Sequence, residues 1–334
     1  MARNHRSKTV NAKMKFSELA AQWLLSVSHG IKESTLAHYH YTLERYLLPV
    51  FGGDSLSALN EQRLEQGILQ VISAANGSHK PLGTSSSREC LTMLRRICKY
   101  AAHLHLMRSM EIFVKLPRME AKQTKPFSAQ EQTALRDFVL AAPTPRKVGL
   151  LLQMQLGLRI GEVCGLQWGD FDFKSGILTV QRTVSRIYCG TGCTKIVVQT
   201  PKTKSSGREI PIPHDLAALL RKLRGSASPD TWFLSGSTER PVEPRCYRKS
   251  IRGYLRRAGV HRVHPHALRH TFATTCLQSG CDIKTLSEIL GHADANVTLK
   301  RYVHTDMKRK KTEMQRVFSA VWKKRPAQTL MPAY

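Results

Sequence analysis

Residues 116–126, Leu-Pro-Arg-Met-Glu-Ala-Lys-Gln-Thr-Lys-Pro, divide this chain. Two prolines, three basic residues and little to bury make them a linker and not part of a core. The 334 residues, 41% of them apolar, are enough for a separate core on either side. Before the linker, apolar spacing predicts helices at 16–27, 35–48, about 60–75 and 85–107. In the second, Leu36, Tyr39, Leu43, Tyr46 and Leu47 form one stripe, and Pro49 with Gly52-Gly53-Asp54 ends it. The fourth is expected to bury Leu91, Leu94, Ile97, Cys98, Ala101 and Leu104. Residues 14–115 thus read as an all-helical unit behind a basic arm at 1–13.

After the linker, Ser128 and Glu131 form a capping box that starts a new helix. Helices follow at 146–157 and near 159–168, then strands at 177–184, 195–200 and 208–212, expected to pair antiparallel. Helices resume at 214–224, 244–259, 265–279, 282–290 and 294–303. The expected class is mainly α with a small antiparallel β-sheet: an all-helical domain at 14–115, a linker at 116–126, an α+β domain at 127–305 and a tail at 306–334.

Charge narrows the function. Lys and Arg number 52 against 24 Asp and Glu, a net of +28, of which +7 falls in residues 1–120 and +21 in 121–334. Basic residues spread through folded segments, with a pI near 10.2, suit a protein that follows a phosphate backbone. No window approaches the ~18 consecutive apolar residues of a membrane helix. The basic N-terminus leads into no apolar signal core, so a cytosolic location is expected. The eight cysteines read as reduced thiols. Cys189 and Cys193 sit in a glycine-rich hairpin tip with no second ligand pair at zinc spacing, so no metal is predicted.

Four islands in the second half carry chemistry. In Gly157-Leu-Arg159-Ile-Gly-Glu162, Arg159 and Glu162 share a helix face, and Arg159, set among apolar residues, wants an anion: Glu162 or a phosphate. In Lys202-Thr-Lys204-Ser-Ser-Gly-Arg208, three basic residues on a hairpin are either solvated or reach into a groove, where a lysine can protonate a leaving oxygen. In His264-Pro-His266-Ala-Leu-Arg269-His270, His266 and Arg269 lie i, i+3 near a helix N-terminus and can grip one phosphate. In Leu290-Gly291-His292 a glycine stops an apolar helix just before a histidine, and Tyr302 follows ten residues on.

The order Gly-Leu-Arg-x-x-Glu, hairpin Lys, His-x-Leu-Arg-His, Leu-Gly-His, Tyr resembles the tyrosine recombinase, or phage integrase, family over about residues 127–305. The preceding helical unit is similar to that family's core-binding domain. The resemblance implies site-specific DNA cleavage and rejoining through a 3′-phosphotyrosyl intermediate, for integration or excision of a mobile element. It implies Tyr302 as nucleophile, Arg159 and Arg269 on the non-bridging oxygens, and Lys202, or alternatively Lys204, as proton donor. His266 would handle the nucleophile's proton, His292 would bind the phosphate, and Glu162 would support Arg159. It implies no cofactor, double-stranded DNA as partner, a homo-tetramer on synapsed DNA, a possible directionality factor, and work at the nucleoid of a bacterial or phage-infected cell. A type IB topoisomerase shares much of this chemistry, and a DNA-binding accessory protein would share the charge. An apolar patch at Val317, Phe318, Val321 and Trp322, after the basic run 308–311, would dock on a neighbouring protomer or on its own domain.

Overall fold

The computed structural model describes residues 13–73, 81–117, 125–199, 207–260, 266–292, 294–302, 311, 314–316 and 318–319. Most of the expected linker, both candidate lysines, the arm at 1–12 and three of the four apolar tail residues lie outside these, as do the side chains of residues 300–302.

The N-terminal half is helical, as expected. It comprises α1 (Phe16–Ser28), α2 (Glu33–Thr42), α3 (Leu48–Phe51), α4 (Glu61–Ser73) and α5 (Thr84–His103). The helix expected at 35–48 does not stop at Pro49. It passes through a π turn at Leu43–Leu47 into α3, with Pro49 in the first turn of α3. Proline has no N–H for the carbonyl four residues back, and the wider π turn just before it takes up that missing bond. The predicted stripe is real: Leu43 and Leu47 are buried, with Leu36, Tyr39 and Tyr46 packed beside them. Phe16, Phe51, Leu64, Ile68, Leu94 and Ile97 complete this core. Leu104 is an exception, 40% exposed, because α5 ends at His103 and Leu104 only caps it.

A second core organises the C-terminal half. Ser128 caps α6 (Ala129–Ala141) through the expected reciprocal bonds with Glu131. The apolar α7 (Pro145–Gln155) runs through the centre, and a short α8 (Ile160–Cys164) follows. The helix expected to continue to 168 ends early, because the chain turns to exchange backbone hydrogen bonds with residues 231 and 233 before a 3₁₀ turn at Trp168–Asp170.

The strands differ most from expectation. They are β1 (Phe171–Asp172), β2 (Ile177–Val180), β3 (Thr183–Gly190), β4 (Cys193–Gln199) and β5 (Arg208–Pro211). They form two sheets, β1-β2-β5 and the hairpin β3-β4, all antiparallel. The predicted strand 177–184 breaks at Gln181 and Arg182, whose side chains both turn onto buried Asp170 at 2.6–2.7 Å. That shared carboxylate pulls the chain out of the first sheet and launches the hairpin. The hairpin reaches the helical half: the Tyr188 hydroxyl donates to Glu44 at 2.6 Å, its ring lies edge-on to Tyr41, and Lys195 pairs with Glu33 at 2.6 Å.

The remaining helices are α9 (His214–Arg224), α10 (Pro244–Arg257), α11 (His266–Gln278), α12 (Ile283–Leu290) and α13 (Ala295–Tyr302). Ala273 and Leu277 of α11 pack on Leu286 and Leu290 of α12, which fixes where α12 ends. No helix among the described residues is long and apolar enough to cross a membrane.

Candidate active site

Glu162 is the hub of the site. It lies in the first turn of α8, 5% exposed, and its carboxylate accepts the Arg159 backbone N–H and Arg159 Nη1, both at 2.7 Å. Arg208 meets both of its oxygens from the other side at 3.1 and 3.0 Å, and Arg269 Nη1 stands 4.0 Å away. Burial alone would raise this carboxyl, but Arg208 first, then Arg159 and Arg269, outweigh it and lower the pKa to about 2. Glu162 therefore serves as a fixed anion that holds guanidiniums together, and not as an acid or a base.

The same three arginines share a second anchor. An α-helix leaves its last carbonyls without internal partners and carries partial negative charge there. At the end of α12, Arg208 Nε donates to the Ile289 carbonyl, Arg269 Nη2 to Leu290 at 2.7 Å, and Arg159 Nη2 to Gly291 at 3.1 Å. Gly291 makes this possible by taking the left-handed conformation, φ 62° and ψ 50°, which ends the helix cleanly. A Cβ at Gly291 would lie 2.9 Å from Arg208 Nη1, so space as well as φ requires glycine. Gly157, φ 67°, plays the matching part at the end of α7, turning its carbonyl to Arg269 Nη1 at 2.6 Å.

His292 follows directly. Arg269 Nη2 donates to His292 Nε2 at 3.0 Å, and because guanidinium only donates, the ring proton sits on Nδ1, bonded to Thr298 Oγ1 at 2.7 Å. Thr298 is fully buried on α13. Helix α13 is thus tied to the arginine cluster through one imidazole.

Arg159, Glu162, Arg269 and His292, taken from distant islands, converge here. His266 opens α11 as an exposed residue, one turn before Arg269. Tyr302 is the last residue of α13, and its side chain is outside the described residues. Lys202 and Lys204 are also outside them. Arg208 corrects one expectation. It does not reach from the hairpin into a groove but lies buried on β5, in step with inward-facing Ile210. The alternation Arg208-Glu-Ile210-Pro-Ile212 was its available signal. Nothing in the sequence singled out Thr298, since a threonine six residues past a histidine has many uses.

Three guanidiniums and one carboxylate leave a net of two positive charges in this cluster. The Arg159 side chain is 36% exposed, whereas those of Arg208 and Arg269 are 6% and 7% exposed. Arg159 is therefore the arginine best placed to meet an anion from solvent. Among the described residues no group of three or more His, Cys, Asp or Glu is arranged to hold a metal.

Residues 118–309 match the phage integrase family, and residues 15–67 match the phage integrase N-terminal SAM-like domain. A tyrosine recombinase XerC-like protein of Caldanaerobacter subterraneus subsp. tengcongensis is 32% identical over 182 residues, 49% of this chain and 46% of the relative. The chain thus matches about half the length of that curated relative. The Tn1549 transposon integrase, solved with circular intermediate DNA, superposes with a TM-score of 0.70 at 20% identity, covering 91% of this chain and 99% of that one. A lambda integrase tetramer bound to a Holliday junction gives 0.63 at 14% identity, covering 92% and 84%. With a family match over more than half its length, and with its fold shared by two integrases, this chain belongs to the phage integrase family of tyrosine recombinases.

Proposed function

We propose that the protein is a site-specific DNA recombinase that integrates or excises a mobile element through a 3′-phosphotyrosyl intermediate. The observation that carries this reading is the convergence of Arg159, Arg208, Arg269 and His292 on Glu162 and the end of α12. A phosphodiester carries one negative charge, and attack on phosphorus gives a pentavalent transition state with a second. A rigid cluster of net charge two, held before substrate arrives, favours that second charge without rearrangement.

On this reading the Tyr302 hydroxyl attacks phosphorus, its proton passes towards His266, and the freed 5′ oxygen takes a proton from Lys202, with Lys204 as the alternative donor. Arg159 and Arg269 contact the non-bridging oxygens. His292 turns from its present acceptor role towards a phosphate oxygen, to which it donates once it carries a proton on Nε2. Tyr302 is the last residue of α13, four positions after Thr298. Rejoining is the reverse reaction with a new 5′ hydroxyl. The covalent link conserves the energy of the broken bond, so no cofactor takes part.

We assign residues 14–115 to core binding and 127–305 to catalysis, with 116–126 linking them across double-stranded DNA. Exchange between two duplexes calls for four active sites, hence a homo-tetramer on synapsed DNA, and a directionality factor is a natural partner. The setting is the cytoplasm of a bacterial or phage-infected cell. The test is covalent capture. Protein and its Tyr302→Phe variant are incubated with nicked DNA from the flanks of the gene, with chelator and no added metal. A protease-sensitive adduct formed only by the Tyr302 form is expected. Specific binding without an adduct would overturn the catalytic reading. Strand exchange between two sites then separates a recombinase from an enzyme that only relaxes supercoils.

A further inference from the structure

Cys189 and Cys193 face each other across the hairpin tip, with their sulfurs 2.7 Å apart, inside the van der Waals contact of two sulfurs. The backbone explains how they meet. Tyr188 pairs with Thr194 and Gly190 with Cys193, so Cys189 is the extra residue of a β-bulge and is turned by it towards the opposite strand. Gly190 (φ 123°) and Gly192 (φ 70°) supply the tight return. Both cysteines are exposed.

Three of the other six thiols differ from this pair in exposure. Cys90, Cys98 and Cys164 are buried, and burial pushes Cys90 and Cys98 up to about 12 and Cys164 well above the usual range. Thiols held protonated and out of solvent do not react. We propose that Cys189 and Cys193 are a redox-active dithiol that closes reversibly to a disulfide by exchange with low-molecular-weight disulfides such as oxidised glutathione. One sulfur, as thiolate, attacks the external disulfide and releases one small thiol. The second displaces the small thiol now attached to the first, giving the Cys189–Cys193 bond. The balance is one external disulfide and two protein thiols in, one protein disulfide and two small thiols out. An exposed disulfide spanning five residues, 189 to 193, belongs to the labile, reversible class.

The placement gives the bond something to act on. Tyr188 immediately precedes Cys189, and Lys195 lies two residues past Cys193; these are the hairpin residues that touch Glu44 and Glu33. Oxidation stiffens the turn between them, at the contact between the helical and catalytic halves.

The test uses the intact chain and does not depend on its activity. Protein is equilibrated in a series of reduced-to-oxidised glutathione mixtures, quenched in acid, alkylated and digested with trypsin. Cleavage after Arg186 and Lys195 gives one peptide, 187–195, that holds both cysteines and no other. As the mixture becomes oxidising, this peptide is expected to lose both alkyl groups together and appear lighter by two hydrogens, and reduction should reverse the change. The Cys189→Ser variant should instead carry one glutathione on Cys193. A wild-type peptide that stays alkylated throughout, or that carries glutathione adducts without the two-hydrogen loss, would overturn the proposal.

Discussion

At the residue scale, Arg208 and Arg159 divide the work. Both touch Glu162, but Arg208 is buried against it and Arg159 is partly open to solvent. Removing one partner of a buried pair leaves the other without compensation, so Arg208→Met is expected to destabilise the fold by about 3–5 kcal/mol. Arg159→Ala should cost about 1 kcal/mol, as for more exposed pairs. Urea denaturation of the two variants checks the difference. The depressed Glu162 carboxyl adds a pH dependence. Its folded pKa, about 2, lies below the ordinary ~4.3, so its contribution is fully present above that ordinary value and is lost as pH falls towards 2. The stability gap between the wild type and Glu162→Gln should therefore narrow between about pH 5 and pH 2 in the same denaturation experiment. Arg159, Glu162, Arg269 and His292 were legible in the sequence because each sits beside a turn signal. Arg208 was visible as a basic residue but misread, since its burial depends on a partner 46 positions away.

At the scale of elements, the end of α12 is the part on which the site turns. One left-handed glycine presents three successive carbonyls, and three arginines, from the cap of α8, from β5 and from α11, take one each. Gly291→Ala forces a Cβ into positive φ, a cost of about 1–2 kcal/mol, and pushes on Arg208. Thermal unfolding should register the loss, and cleavage of bound DNA should slow roughly tenfold, the rate equivalent of ~1.4 kcal/mol. The position of a helix such as α5 followed from apolar periodicity because it buries one stripe. The strands did not, because the break at 181–182 depends on a buried carboxylate at Asp170 that no local pattern reveals. The π turn before Pro49 was hidden for a similar reason: proline reads as a stop, yet the core around Leu47 and Phe51 keeps the chain helical.

At the scale of the whole molecule, an all-helical core and an α+β core meet through a hairpin. Residues 1–120 carry +7 and residues 121–334 carry +21, so on the proposed reading both parts neutralise phosphates while the arginine cluster acts on one of them. The charge of the two parts was readable from composition, whereas the contact of Tyr188 with Glu44, 144 positions apart, was not. In the proposed mechanism the clustered arginines act by stabilising charge on the phosphate. The most direct measurement compares single-turnover cleavage of a normal site with that of a site whose scissile phosphate is replaced by a neutral methylphosphonate, using the wild type and Arg159→Ala. On this mechanism Arg159→Ala is slower by about 10²–10³ on phosphate, and most of this deficit disappears on methylphosphonate, where a neutral methyl replaces one non-bridging oxygen and the transition state carries one negative charge instead of two. An equal deficit on both substrates would contradict it.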